Sequence, residues 1–144
     1  CLTVAYENAA LNGIGKDRYT VLVGDVLSNG ALRETLGGGY DVVVANIVAD
    51  VIIGLAPMVR QFLKPGGLFY ASFKAGTAEG RDRFGRYFNY PSPDWLRSAY
   101  GPAGWQSLKI GEEIGGGYDG EPTPWLHVTA IKGTAAKGTA VKRP

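Results

Sequence analysis

The 144 residues carry 15 Lys and Arg against 13 Asp and Glu, and 22 of them are glycine. That length suits one domain burying roughly 70% of its unfolded surface, and the near-balanced charge gives no strong nucleic-acid signal, while leaving room for contact with substrate-borne RNA or the ribosome. The single cysteine, Cys1, excludes an internal disulfide and a Cys-x-x-Cys metal site, and no apolar run approaches a membrane span. With no signal peptide visible, a reducing cytoplasmic compartment is expected. Lys132, Lys137, Lys142 and Arg143 lie in a stretch without acids, so the body before them is net acidic. The chain opens on Cys rather than Met, and within an apparent helix, which reads as part of a longer translation product.

In chain order, residues 2–11 predict the end of an amphipathic helix with Asn12-Gly13 as its C-cap. Residues 19–23 (YTVLV) predict a strand, with Gly24, Asp25, Val26 and Leu27 at its carboxyl end. Residues 28–36 suit a short helix N-capped by Ser28 or Asn29, and Gly37-Gly38-Gly39 a flexible turn. Residues 40–45 (YDVVVA) form a β-branched run that predicts a strand buried on both faces, with Asn46 at its tip. Val48, Val51, Ile52, Leu55, Val59, Phe62 and Leu63 then recur at helical spacing. Pro57 kinks that helix or begins its second half, and Lys64-Pro65-Gly66-Gly67 stops it before an apolar strand over 68–73. The result is a βαβ unit, whose crossover is expected to be right-handed. Its carboxyl strand ends are where an open α/β sheet binds ligands.

Residues 74–86 are glycine-rich and charged, and 85–92 (GRYFNYPS) suit either a lid or a loop packed over the sheet. Ser92 should cap a helix running to Tyr100. Residues 105–114 and 125–131 predict a closing antiparallel pair joined by GGGYDGEPTP. From Gly133 onward the sequence repeats KGTA and is expected to be disordered, giving a folded body over 1–132 and a basic tail over 133–144.

No catalytic constellation can be assembled from one histidine and one cysteine. His127 falls on a predicted strand and reads as a packed or surface imidazole, and no metal site is expected. Asp25 and Asn46 are the polar residues at strand ends; as plain structure they are a turn residue and a helix N-cap.

ENAALNG (7–13), VGDVL (23–27), DVVVANIVADVIIGLAP (41–57) and LKPGG (63–67), in that order, resemble a class I S-adenosylmethionine-dependent methyltransferase. Asn46-Ile47-Val48-Ala49 is similar to the post-strand motif of the ribosomal-protein methyltransferases of the PrmA type. The resemblance covers residues 2–72. It implies an α/β fold, namely a partial Rossmann-like sheet, mostly parallel with a C-terminal antiparallel pair and lacking the first two strands. It also implies S-adenosylmethionine as cofactor, bound at Gly24, Asp25, Val26, Asn46 and Ile47. Asp25 would accept the adenine amino group, and Asn46 would lie at the transferring methyl as the catalytic residue. The methyl acceptor would be a protein amine or a small molecule.

From residue 80 onward (GRDRFGRYFNYPSPDWLRSAYGPAGW) the sequence departs from the PrmA type. It resembles instead the carboxyl half of small class I methyltransferases that share a GRYFNY-like segment, which makes Arg86, Tyr87 and Tyr90 lid or substrate residues. No GxGxG precedes Asp25, and the two family strands absent from this stretch would lie between 19–23 and 40–45, leaving a gap of roughly 10 Å. Three outcomes stay open: direct pairing of those strands, filling of the gap by another chain (self-association included), or a poorly folded fragment. The alternative to an enzyme is a methyltransferase-like module that binds a partner without catalysis. A dehydrogenase is disfavoured by the missing dinucleotide fingerprint.

Overall fold

The computed structural model describes residues 2–46, 49–76, 79–81, 85–117 and 120–134. The chain divides into two compact units, Cys1–Gly37 and Gly38–Pro144. The basic tail from residue 135 onward lies outside the described residues, as does Ile47.

In the first unit, helix α1 spans Leu2–Leu11 and ends at Gly13, whose φ of +69° suits only glycine without strain. The Ile14 N–H reaches back to the Ala9 carbonyl at 2.9 Å. An amphipathic helix is not what forms: none of its residues is buried, because the apolar positions 2, 4, 5, 6, 9, 10 and 11 run round the whole circumference. Tyr6 packs on Tyr19, with ring centroids 5.7 Å apart and the Lys16 ammonium 4.9 Å from the Tyr6 centroid. The strand expected at residues 19–23 does not form. Its residues join no sheet, and Leu22 and Val23 stay 40% and 64% exposed. A β-branched run becomes a strand only when a neighbouring backbone pairs with it. Helix α2 covers Gly30–Leu36, and Asn29 is its N-cap, with Oδ1 accepting from the Leu32 N–H at 3.0 Å.

The second unit holds a four-stranded sheet in the order β1-β2-β6-β5, where β1 is Tyr40–Ala45, β2 Leu63–Lys74, β5 Ser107–Gly116 and β6 Pro122–Ile131. β1 runs parallel to β2, matching Ala45 with Ala71. β6 runs antiparallel to both β2 and β5, so the expected C-terminal antiparallel pair is present. Residues 118 and 119 of its connecting loop lie outside the described residues. A small separate pair, β3 (Gly80–Arg81) and β4 (Tyr87–Phe88), lies between β2 and helix α4, Pro93–Tyr100.

Two expectations for the central unit need correction. β1 is not buried on both faces: Tyr40, Val42 and Val44 are exposed, and Val43 and Ala45 turn inward. β1 ends the sheet, so a Val-rich run that reads as interior carries one open face. The helix is also shorter than its apolar spacing suggested. α3 covers Ala49–Leu55, a turn follows, and a 3-10 helix takes Val59–Phe62. Pro57 has no N–H to continue the α-ladder, and the Ala56 and Met58 amides bond three residues back, to Ile53 and Leu55, at 2.9 Å each. Strand β2 therefore starts at Leu63, and Lys64-Pro65-Gly66-Gly67 makes an irregularity inside it rather than a helix stop.

The core lies on one face of this sheet. Phe69, Ala71 and Phe73 of β2 and Leu126, Val128 and Ala130 of β6 pack against Ile52, Ala56, Val59, Leu96 and Tyr100. The Tyr100 and Trp105 rings flank Phe69 at 5.5 Å and 6.1 Å. Tyr100 donates its hydroxyl to the Ile52 carbonyl at 2.9 Å, and burial raises its pKa. Ser92 caps α4 as expected, accepting from the Trp95 N–H. Lys132 belongs to the fold: its carbonyl accepts from Gly66, its N–H bonds to Gly67, and its ammonium to Leu63.

Candidate functional site

Three clusters carry the residues singled out in the sequence. The first is the turn following residues 19–23. Asp25 folds back on its own loop: Oδ1 accepts from the Leu27 N–H at 2.9 Å and Oδ2 from the Ser28 hydroxyl at 2.6 Å. These bonds, the Ser28 hydroxyl foremost, hold the Asp25 carboxyl below its ordinary pKa, with a smaller pull from Arg33. Arg33, on α2, clamps the same turn by donating Nη1 to the Val26 and Leu27 carbonyls at 2.8 and 2.9 Å. The result is an exposed, ionised carboxylate on a braced loop. With a weaker contribution from the Ser28 backbone as well, it accepts three bonds, and a carboxylate's roughly four acceptor positions leave capacity for another. Gly24 precedes it in extended conformation. Ser28 and Arg33 were missed as site residues; the i+3 spacing of Ser28 from Asp25 is the available signal.

The second cluster is the carboxyl end of β1. Ala45 is buried against the core and Asn46 follows it, exposed and outside the strand. Because β1 and β2 are parallel, the carboxyl end of β2 (Ser72, Phe73, Lys74) lies at the same edge. Asp41, at the other end of β1, pairs with Lys64; that hydrogen bond and charge lower its pKa.

The third cluster gathers Arg86 and Tyr90, but not Tyr87, around Phe88, a member of the same aromatic row. Tyr90 stacks on Phe88, with centroids 5.8 Å apart and planes 10° apart. The Lys74 ammonium lies 4.6 Å and the Arg86 guanidinium 5.5 Å from the Phe88 centroid. Tyr87 points elsewhere, donating its hydroxyl to Glu79 Oε2 at 2.7 Å. Gly76 makes room for the stack, since a Cβ there would stand 2.7 Å from the Tyr90 ring.

His127 sits opposite Ser72 on the neighbouring strand β6, near the second cluster, and is packed there. Its Nδ1 is 2.6 Å from the Tyr70 hydroxyl, the two rings stack, and Glu113 lies 3.5 Å from Nε2. This is the packed imidazole that the residue count suggested. Among the described residues no group of three or more His, Cys, Asp or Glu is placed to hold a metal ion, and no helix is long and apolar enough to cross a membrane.

The mixed sheet with its α/β connections is of the Rossmann-like class. The same fold is seen in the solved S-adenosylmethionine-dependent methyltransferase SibL (TM-score 0.62, 16% identity, 92% of this chain and 41% of that one). It is seen too in a possible exported protein from Bordetella parapertussis (TM-score 0.63, 18% identity, 92% and 50%). The model of the ribosomal protein L11 methyltransferase (PrmA) family matches residues 1–73, and the chain belongs to that family, whose methyl donor is S-adenosylmethionine. The ribosomal protein L11 methyltransferase of Agathobacter rectalis is 38% identical over 73 residues, half of this chain and 23% of that protein. The chain spans about a fifth of the length of the curated relatives it matches.

Proposed function

We propose that this chain contributes to S-adenosylmethionine-dependent methyl transfer, with Asp25, beside Gly24 and the Val26 backbone, receiving the adenine amino group and Asn46 beside the transferring methyl. The carrying observation is the family match over residues 1–73, which includes both residues. The residues fit the donor: Asp25 is a braced, exposed anion with acceptor capacity left for an amino group. The donor, when bound, supplies an activated sulfonium methyl. The chain's part is to hold and orient, which can supply most of the acceleration in an in-line displacement. The Asn46 side-chain or backbone oxygen would orient the acceptor; Ile47, assigned to the cofactor by the resemblance, lies outside the described residues. Arg86, Tyr87 and Tyr90 form the acceptor wall. The acceptor is a protein amine, as the name of the relatives suggests, or a small molecule, as the divergent second half suggests, and the setting is cytoplasmic.

Calorimetric titration with S-adenosylhomocysteine tests this. Saturable heat is expected, weakened about tenfold or more in Asp25→Ala, about what loss of one hydrogen bond to a charged group costs. Unchanged affinity in that variant removes the adenine assignment. A second reading, a partner-binding module without catalysis, is favoured by the exposed outer face of β1. Absence of heat at millimolar ligand would select it, and self-association through that edge would then be sought by sedimentation.

A further inference from the structure

The methyl-transfer reading uses the carboxyl edge of the sheet, and a different group of residues stands at the amino edge. Leu63, which opens β2, is level with Tyr40, which opens β1, whereas Asn46 follows the end of β1. The 6 residues of β1 at about 3.3 Å each put the two edges roughly 20 Å apart. At the amino edge a cleft of about 320 Å³ is lined by Pro57, Arg60, Gln61, Ala103 and Lys132. That volume is at the lower end of the range for small-ligand sites, about 300–1,000 Å³.

The lining holds two cations and no acid. Arg60, on the 3-10 helix at Val59–Phe62, donates Nη1 to the Ala103 carbonyl at 3.1 Å, while its Nε is buried without a partner. Lys132, the residue after β6, sets its ammonium on the Leu63 carbonyl. Both side chains are half-buried, and among the described residues neither forms an ion pair. Asp41, the acid on neighbouring β1, is taken up by Lys64. Carbonyl contacts fix a cation in place without cancelling its charge, and a buried N–H on a charged group is costly to leave unmatched. An anion in the cleft answers both. Its shape follows from where the donors come from. A carboxylate offers two oxygens in one plane and suits a single guanidinium fork. Here the guanidinium and the ammonium come from separate elements, with Gln61 beside them, which suits a group whose oxygens point in several directions.

We propose that Arg60 and Lys132 bind a phosphate group in this cleft, at the sheet edge remote from the methyl-transfer site. The methyl donor carries no phosphate, so the inference stands apart from that reading. The phosphate belongs to a free small molecule or to an RNA backbone, and the test separates the two sources.

The full chain is titrated with inorganic pyrophosphate and with acetate at constant ionic strength, followed by amide chemical shifts. Pyrophosphate is expected to saturate, to bind at least about tenfold tighter than acetate, and to shift amides of residues 58–61, 103–106 and 132. Arg60→Gln and Lys132→Gln should each weaken it about tenfold, and Arg60→Lys, which keeps the charge and loses the fork, about threefold. Lys137→Gln, Lys142→Gln and Arg143→Gln combined should change the affinity less than about twofold. Lys132→Gln keeps that residue's backbone bonds to Gly66 and Gly67, so it decides alone if Arg60→Gln does not fold. Equal binding of acetate, shifts confined to other residues, or unchanged pyrophosphate affinity in Lys132→Gln overturns the proposal. A uridine octanucleotide then identifies the source: binding at least about tenfold tighter than pyrophosphate, and lost in Lys132→Gln, supports an RNA phosphate, and weaker binding supports a free one. S-adenosylhomocysteine affinity should be the same in Lys132→Gln, so failure of either reading leaves the other intact.

Discussion

At the scale of single residues, the structure assigns work to side chains with no visible motif. Tyr100 does for the Ile52 carbonyl what the Ala56 amide would have done had the helix continued; that amide turns to Ile53 instead. Tyr100→Phe leaves the ring on Phe69 but orphans a buried carbonyl. It is expected to cost about 1–2 kcal/mol in urea unfolding, with the slope unchanged. Asp25 gives a pH signature. Its folded pKa is depressed, so its contribution to the turn is complete above the ordinary carboxyl value of about 3.9 and disappears as pH falls through the lower folded value. Titrating its carboxyl carbon by NMR should give a midpoint below that ordinary value, and Ser28→Ala should move the midpoint upward.

At the scale of elements, what could be read in the sequence followed local chemistry, and what could not followed partners. Asn29 and Ser92 cap the helices predicted for them because an N-cap bonds only its own first turn. The alternation of Trp125 to Ile131 announced β6, and Pro57 marked where α3 stops. By contrast, residues 19–23 and 40–45 are equally rich in β-formers, and only the second pairs; nothing inside either run tells them apart. The roles proposed for Asp25 and Asn46 come from motif order alone. The aromatic row around Phe88 was visible in the sequence, but its contact with Lys74 was not, since that joins a strand end to a ring fourteen positions later. That contact relies on Gly76. Gly76→Ala would drive Cβ into Tyr90 and is expected to cost about 1–3 kcal/mol, comparable to overpacking. Aromatic shifts of Phe88 and Tyr90 should report the loss of stacking.

At the scale of the whole molecule, stability is unevenly distributed. α1, α2 and the 3-10 turn at Lys16–Arg18 bury no residue, whereas the buried residues all belong to the second unit. Local opening free energy follows buried contact. Amides over residues 2–37 should exchange with solvent orders of magnitude faster than those of β2 and β6. A fragment covering 38–134 should retain a single cooperative unfolding transition, and its loss would show that the first unit contributes more than its burial suggests.

The position of β2 has a further consequence, for the order in which the chain is made. β2 is flanked by a strand translated before it and by one translated after it, and roughly fifty residues separate its end from the start of β6. At cellular elongation rates that interval is roughly 3 to 10 s. Throughout it, β2 has β1 on one side and an unpaired row of backbone groups on the other, with Phe69, Ala71 and Phe73 lacking most of the surfaces that will bury them. The β5–β6 hairpin, once released, closes in microseconds and seals that edge. Nascent chains stalled before Pro122 would therefore be the form that chaperones hold and that aggregates.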